Sequence, residues 1–150
     1  MHDNLKWDLR FLKLAQEIAT WSKDPTTKVG CVIVDTSNRI IGTGYNGFPR
    51  LVPDTPELLA NKEEKRLRVI HAEMNAIQFS VGDLTGSTLY CTHHPCAGCA
   101  GIIIQKGIQR IVIPQITSEL GGDWNKSVEV ARDMFEKSGK QFESIFRGEL

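Results

Sequence analysis

No apolar run in the 150 residues approaches the ~20 needed to cross a bilayer, and the start, "MHDNLKWDLR", lacks the apolar core of a secretory leader. Those absences exclude a helical membrane span and lead us to expect a cytoplasmic protein without a membrane partner. Excess charge is missing too: Lys and Arg total 18, as do Asp and Glu, so no net positive field exists to hold a long nucleic acid. The densest charged run, "NKEEKRLR" at 61–68, mixes both signs and reads as a solvated face. There is no internal repeat and no low-complexity tract. Cysteine is scarce, with only Cys31, Cys91, Cys96 and Cys99, so a disulfide framework is not expected. The length suits one domain, taken as 1–150.

What is present is an alternation of helix and strand patterns. Leu5, Leu9, Leu12, Ala15, Ile18, Ala19 and Trp21 recur at helical spacing until "SKDPTT" interrupts them. "VGCVIVD" and "RIIGTGY" then read as a hairpin joined by "TSN". "NGFPRLVPDTPEL" reads as a long surface loop, of a length uncommon unless functional, leading into a charged, helical stretch to Arg68. Next come a helix over "HAEMNAIQFSV", a strand in "GSTLYCT", a helix from "CAGCAGIIIQKG" ended by Gly107, and a strand in "IQRIVIPQI". A last helix from Trp124 closes at Gly139, and "QFESIF" adds an edge strand. The expected fold is α/β, a mixed sheet that starts antiparallel with helices on both faces.

The chemistry gathers around "THHPCAGC", residues 92–99. A structural zinc knuckle needs a second ligand pair, yet no His or Cys follows Cys99. His93 and His94 do not both fill the gap, because neighbours in an extended segment point to opposite faces, so at best one of them faces the metal. A thioredoxin-type redox pair sits early in its chain and usually carries a proline between the cysteines, where this chain has Ala97 and Gly98. "HAE" at 71–73 supplies the alternative: His71 with Cys96 and Cys99 gives three protein ligands and leaves the fourth tetrahedral position open for water, as in catalytic zinc sites. Glu73, two residues beyond His71, does not share a helical face with it and suits proton transfer to and from that water.

His71-Ala72-Glu73 followed by Pro95-Cys96-Ala97-Gly98-Cys99 resembles the signature of zinc-dependent nucleobase deaminases. With "SKDPTTKVGCVIV", "IIGTGYNGFPR", "HAEMNAI" and "TLYCTHHPCAGCAGIIIQKGI", the chain resembles the deoxycytidylate (dCMP) deaminases from about Leu9 to Gly139. "SKDP" with "GYNG" narrows the resemblance to dCMP. It implies a cytidine-deaminase-like three-layer α/β/α sandwich with a mixed five-stranded sheet, and hydrolysis of dCMP to dUMP and ammonia in pyrimidine nucleotide biosynthesis. It further implies attack of a zinc-activated water on C4, with Glu73 protonating N3 and helping the amino group leave. The N–H groups at Ala72 and its neighbour would face the pyrimidine carbonyl, and Asn46 would bind the deoxyribose.

For the 5′-phosphate, Lys28 and Thr27 are the candidates, one cation beside hydroxyl and amide donors; the alternative is that Thr26 and Thr27 only shape a turn and Lys28 is solvated. Residues 49–70 contain no Cys or His, so a single zinc per subunit is expected, without the second site of some relatives. The family likeness implies a homo-oligomer, a hexamer favoured, with dCTP and dTTP as effectors. Trp124 is open between core, interface and substrate wall. The alternatives to dCMP are another cytosine nucleotide or nucleoside, a tRNA adenosine, or a non-catalytic zinc- or nucleotide-binding module.

Overall fold

Alternation along the strands sorts the side chains into two layers. In β1 (Gly30–Val34), Cys31 and Ile33 point to one face of the sheet and Val32 and Val34 to the other. In β3 (Thr88–Cys91), Leu89 and Cys91 join the first face and Tyr90 the second; in β4 (Arg110–Pro114), Ile111 and Ile113 oppose Val112 in the same way. With β2 (Ile40–Tyr45) and β5 (Gln141–Ile145) these form one sheet in the order β2-β1-β3-β4-β5. The β1 pairings to β2 and β3 are antiparallel, whereas β3, β4 and β5 run parallel, so the sheet starts antiparallel and ends in crossover units. The computed structural model describes residues 4–116 and 122–150; Met1–Asp3, part of the start inspected for a leader, lie outside the described residues.

Helix α1 (Asn4–Ala19) covers the Val32–Tyr90–Val112 face through Phe11, Leu12, Ala15 and Ile18. The opposite face carries α4 (Ala72–Gln78), α5 (Ala97–Gln105) and α6 (Gly122–Lys137), with Ala76, Ile103 and Phe135 in its core. The result is the three-layer sandwich with a five-stranded mixed sheet. Gly44 on β2 allows α4 to sit close: a Cβ there would lie 2.3 Å from the Ala76 nitrogen and 2.5 Å from the Ala72 oxygen. A side chain at Gly44 would therefore displace the helix whose start carries His71 and Glu73.

The element boundaries depart from the sequence pattern at several places, α6 for one beginning at Gly122 and not at Trp124. α1 ends at Ala19, and Trp21, assigned to its apolar face, is 56% exposed beyond it. The stretch read as a long loop contains helix α2 (Pro56–Ala60), capped by the Thr55 side chain with Pro56 in its first turn. α4 is shorter than "HAEMNAIQFSV", leaving Phe79 and Val81 exposed past its end. The glycine stops hold: Gly107 and Gly139 take φ values of 81° and 73° just after α5 and α6. Among the described residues, no helix is long and apolar enough to cross a membrane.

A buried ion network ties α1 to the sheet. Arg110 donates to both carboxylate oxygens of Asp8, at 2.7 and 2.6 Å, Tyr90 Oη donates to Asp8 at 2.7 Å, and Glu143 pairs with Arg110. Asp8 lies on the packed face of α1 yet carries charge, which an apolar periodicity does not register. Asp8→Ala would leave the Arg110 guanidinium buried with a half-exposed partner only, so urea unfolding is expected to show a loss of about 3 kcal/mol. Little change in the unfolding midpoint would contradict that role.

Candidate metal centre and active-site cavity

Both halves of the site sit at helix starts. His71 is the residue before α4 and takes extended backbone angles, and Cys96 holds the equivalent place before α5, where its sulfur accepts from the Cys99 N–H at 3.4 Å. The first amide of α5, Ala97, donates to Ser127 Oγ of α6 at 2.8 Å, which fixes the Pro95–Cys96 turn against the last helix. His71 Nδ1 lies 3.3 Å from Cys99 Sγ and 3.5 Å from Cys96 Sγ, and the three donor atoms all fall within 4.8 Å of one another. A tetrahedral zinc with ordinary Zn–N and Zn–S bonds would separate N and S by about 3.6 Å. The donor set therefore fits zinc in both chemistry and spacing.

The three donor groups share protons with one another. Hydrogen bonding from Cys99, then from His71, draws the Cys96 thiol down to about 4 against the effect of burial. Cys99 is pushed up by sharing its proton with that sulfur and by burial. His71 is raised by its contact with Cys96. Glu73 is 4% exposed, and burial pushes its carboxyl above the usual range.

A cavity of about 520 Å³ opens over this centre, within the range of small-molecule sites. His71, Ala72, Glu73, His93, His94 and Trp124 line it, so Trp124 is part of the wall. His94 is buried: its Nδ1 donates to the Pro95 carbonyl at 2.8 Å, its Nε2 accepts from Arg132 at 3.2 Å, and its ring packs on Phe142. Desolvation and Arg132 both favour the neutral imidazole.

The "SKDP" and "GYNG" segments meet as one unit in the same wall. Asp24 Oδ1 accepts from the N–H groups of Thr26 and Thr27 at 2.8 and 3.1 Å and from Lys65 Nζ at 3.0 Å. Burial alone would raise this carboxyl, but the two amides and Lys65 outweigh it and hold Asp24 below the usual carboxylate range. Asn46 Oδ1 accepts from the Val29 N–H at 2.9 Å, its Nδ2 donates to the Thr27 carbonyl at 2.9 Å, and its own carbonyl accepts from Ser22 Oγ at 2.8 Å. Asn46 thus faces the cavity while bracing the loop.

The sequence-predicted residues divide accordingly. His71, Ala72, Glu73, Asn46 and Thr27 line the cavity, and Cys96 and Cys99 complete the donor set beside it. Lys28 is not brought there. Its exposed side chain donates to the Ser22 carbonyl outside the lining, because in an extended run Thr27 and Val29 face inward and the residue between them faces out. The cations that do line the cavity come from helix α3 (Lys62–Arg68), within the run read as solvated: Lys62, Lys65 and Arg66 face the site, while Glu63 and Leu67 face solvent. The signal lay in spacing, since Lys62, Arg66 and Val69 follow a helical stripe.

A three-layer α/β/α fold bearing a His/Cys/Cys donor set beside a buried carboxylate defines a zinc-type deaminase centre. Residues 5–115 match the cytidine and deoxycytidylate deaminase zinc-binding region, and the chain belongs to that family. It is 42% identical over 134 residues to an uncharacterized deaminase of Aliivibrio fischeri, covering 89% of this chain and 90% of that protein. It is 45% identical over 119 residues to a probable deoxycytidylate deaminase of Drosophila melanogaster; that match covers 72% of this chain but 59% of the longer relative. The fold matches the crystal structure of the dCMP deaminase of cyanophage S-TIM5 in complex with dCMP and dUMP, with a TM-score of 0.75 at 24% identity, covering 97% of this chain and 99% of that one.

Proposed function

We propose that the chain converts dCMP and water to dUMP and ammonia with one zinc per chain. The observation that carries this reading is that a single cavity joins the His71–Cys96–Cys99 donor set and Glu73 to the cations of α3. The first half is built for hydrolysis at a ring carbon, and the second for an anionic substituent. Lys65 is matched by Asp24, whereas among the described residues no carboxylate pairs with Lys62 or Arg66. Those two side chains, with Thr26 and Thr27, are the phosphate ligands of this reading, in place of Lys28.

Bound zinc supplies the Lewis acidity that makes a water nucleophilic at neutral pH. Glu73 accepts the proton of the attacking water, delivers it to N3 of the cytosine as C4 becomes tetrahedral, and assists the loss of the amino group as ammonia. Ala72, the first residue of α4, presents its N–H to the pyrimidine carbonyl, and Asn46 holds the sugar end while keeping the Thr27–Val29 segment in place. His93 and Trp124 close the cavity around the base.

Arg66→Ala tests the phosphate assignment. It is expected to raise KM for dCMP by roughly tenfold or more, as loss of a charge-assisted contact implies, and to leave the kinetics of deoxycytidine unchanged. Equal losses on both substrates would contradict the assignment.

A further inference from the structure

Two of the four cysteines play no part in the donor set. Cys31 and Cys91 are fully buried and face each other as register partners across β1 and β3, on the sheet face covered by α4. Their surroundings, Ile33, Leu89, Ala76 and Ala100, are apolar, and a valine would fill either position about as well. The polarity of Cys91 nevertheless has a use: its Sγ lies 3.4 Å from Oε1 of Glu73 and donates to it.

We propose that Cys91 is a positioning residue for Glu73, its thiol holding the buried carboxylate in the rotamer from which it reaches both the attacking water and the pyrimidine ring. The inference rests on the proton-carrying role of Glu73 given above. A carboxylate that is only 4% exposed takes its direction largely from the donors the protein supplies. A thiol is a weak donor. It fixes direction without binding so tightly that the carboxylate loses freedom to pass a proton between two acceptors. Cys91 acts from the end of β3, one strand position past Tyr90, so the alternation that puts Leu89 on the core face opposite α1 puts this sulfur on the same face.

The test uses the zinc-loaded protein and the variants Cys91→Ala, Cys91→Val and Cys91→Ser, with Glu73→Gln in parallel. Loss of orientation at a reacting group is expected to lower kcat for dCMP by roughly tenfold to a hundredfold in the alanine and valine variants. KM and zinc content should stay at the parent level, and serine, which restores a donor, should recover most of the rate. In infrared spectra, the S–H stretch that disappears in Cys91→Ala is expected at the lowered frequency of a hydrogen-bonded thiol and should rise in Glu73→Ala. Unchanged kcat in Cys91→Val would overturn the proposal. So would a serine variant as slow as the alanine variant, joint loss of zinc and kcat in both apolar variants, or an S–H band that ignores Glu73→Ala. Retained turnover in Glu73→Gln would instead remove the underlying role of Glu73, so the two failures are distinguishable.

Discussion

Glu73→Gln is expected to lower kcat for dCMP by roughly a thousandfold or more while zinc content stays at one per chain. The glutamine amide keeps the size of the side chain and can still accept from Cys91, so the α4 start should hold its shape. What it loses is the ability to take a proton from water and give it to the ring. Glu73 is not among the donor atoms that converge on the metal position, which is why the metal should stay. Metal analysis beside steady-state kinetics checks both halves. Turnover near the parent rate would remove Glu73 from the chemistry, and lost zinc would make it a ligand.

The second large effect concerns the proposed ligands. His71→Ala or Cys99→Ala should abolish zinc retention and activity together, because removing one of three protein donors leaves too few to define the site. Stripping the parent protein with a chelator should likewise lower its Tm. By mass action, zinc at a thousand times its Kd stabilises the folded state by about 4 kcal/mol, so readdition should restore both Tm and turnover. The α4 and α5 starts are held together by the donor set, so the chelated protein is expected to loosen first there. Activity that survives complete zinc removal would contradict the assignment.

Much of the site was legible because its chemistry is local in sequence. His71 and Glu73 stand two residues apart, Cys96 and Cys99 three, and each pair opens a helix whose start the residue pattern marks. The sheet was legible for a similar reason: "GCVIV" and "RIVIP" are short apolar runs bounded by turn signals. The rest depends on tertiary placement. Lys62 and Arg66 belong to a largely polar helix whose spacing marks a stripe with Val69, but only its seat beside Asp24 turns that stripe to the cavity. Asp8 and Arg110 meet from positions 102 apart, and no window of sequence links them. Cys91 lies 18 residues from Glu73, and their contact is visible only in the folded chain. Thr55-Pro56-Glu57 did carry a local cap signal, masked by the prolines and glycine that made its surroundings read as loop.

The interlock of Ser22, Asp24 and Asn46 gives "SKDP" and "GYNG" a common physical purpose. Each supplies part of one hydrogen-bonded wall of the cavity, and the β1–β2 hairpin separates them in the sequence.

The most direct measurement follows ammonia release from dCMP, CMP, dCTP, deoxycytidine and a tRNA with the purified zinc-loaded protein. A cavity of this size, with α3 cations that pair with no carboxylate among the described residues and no excess positive charge, predicts the highest kcat/KM for dCMP, weak turnover of deoxycytidine and none of the tRNA. Equal rates on dCMP and deoxycytidine, or a preference for the tRNA, would contradict it.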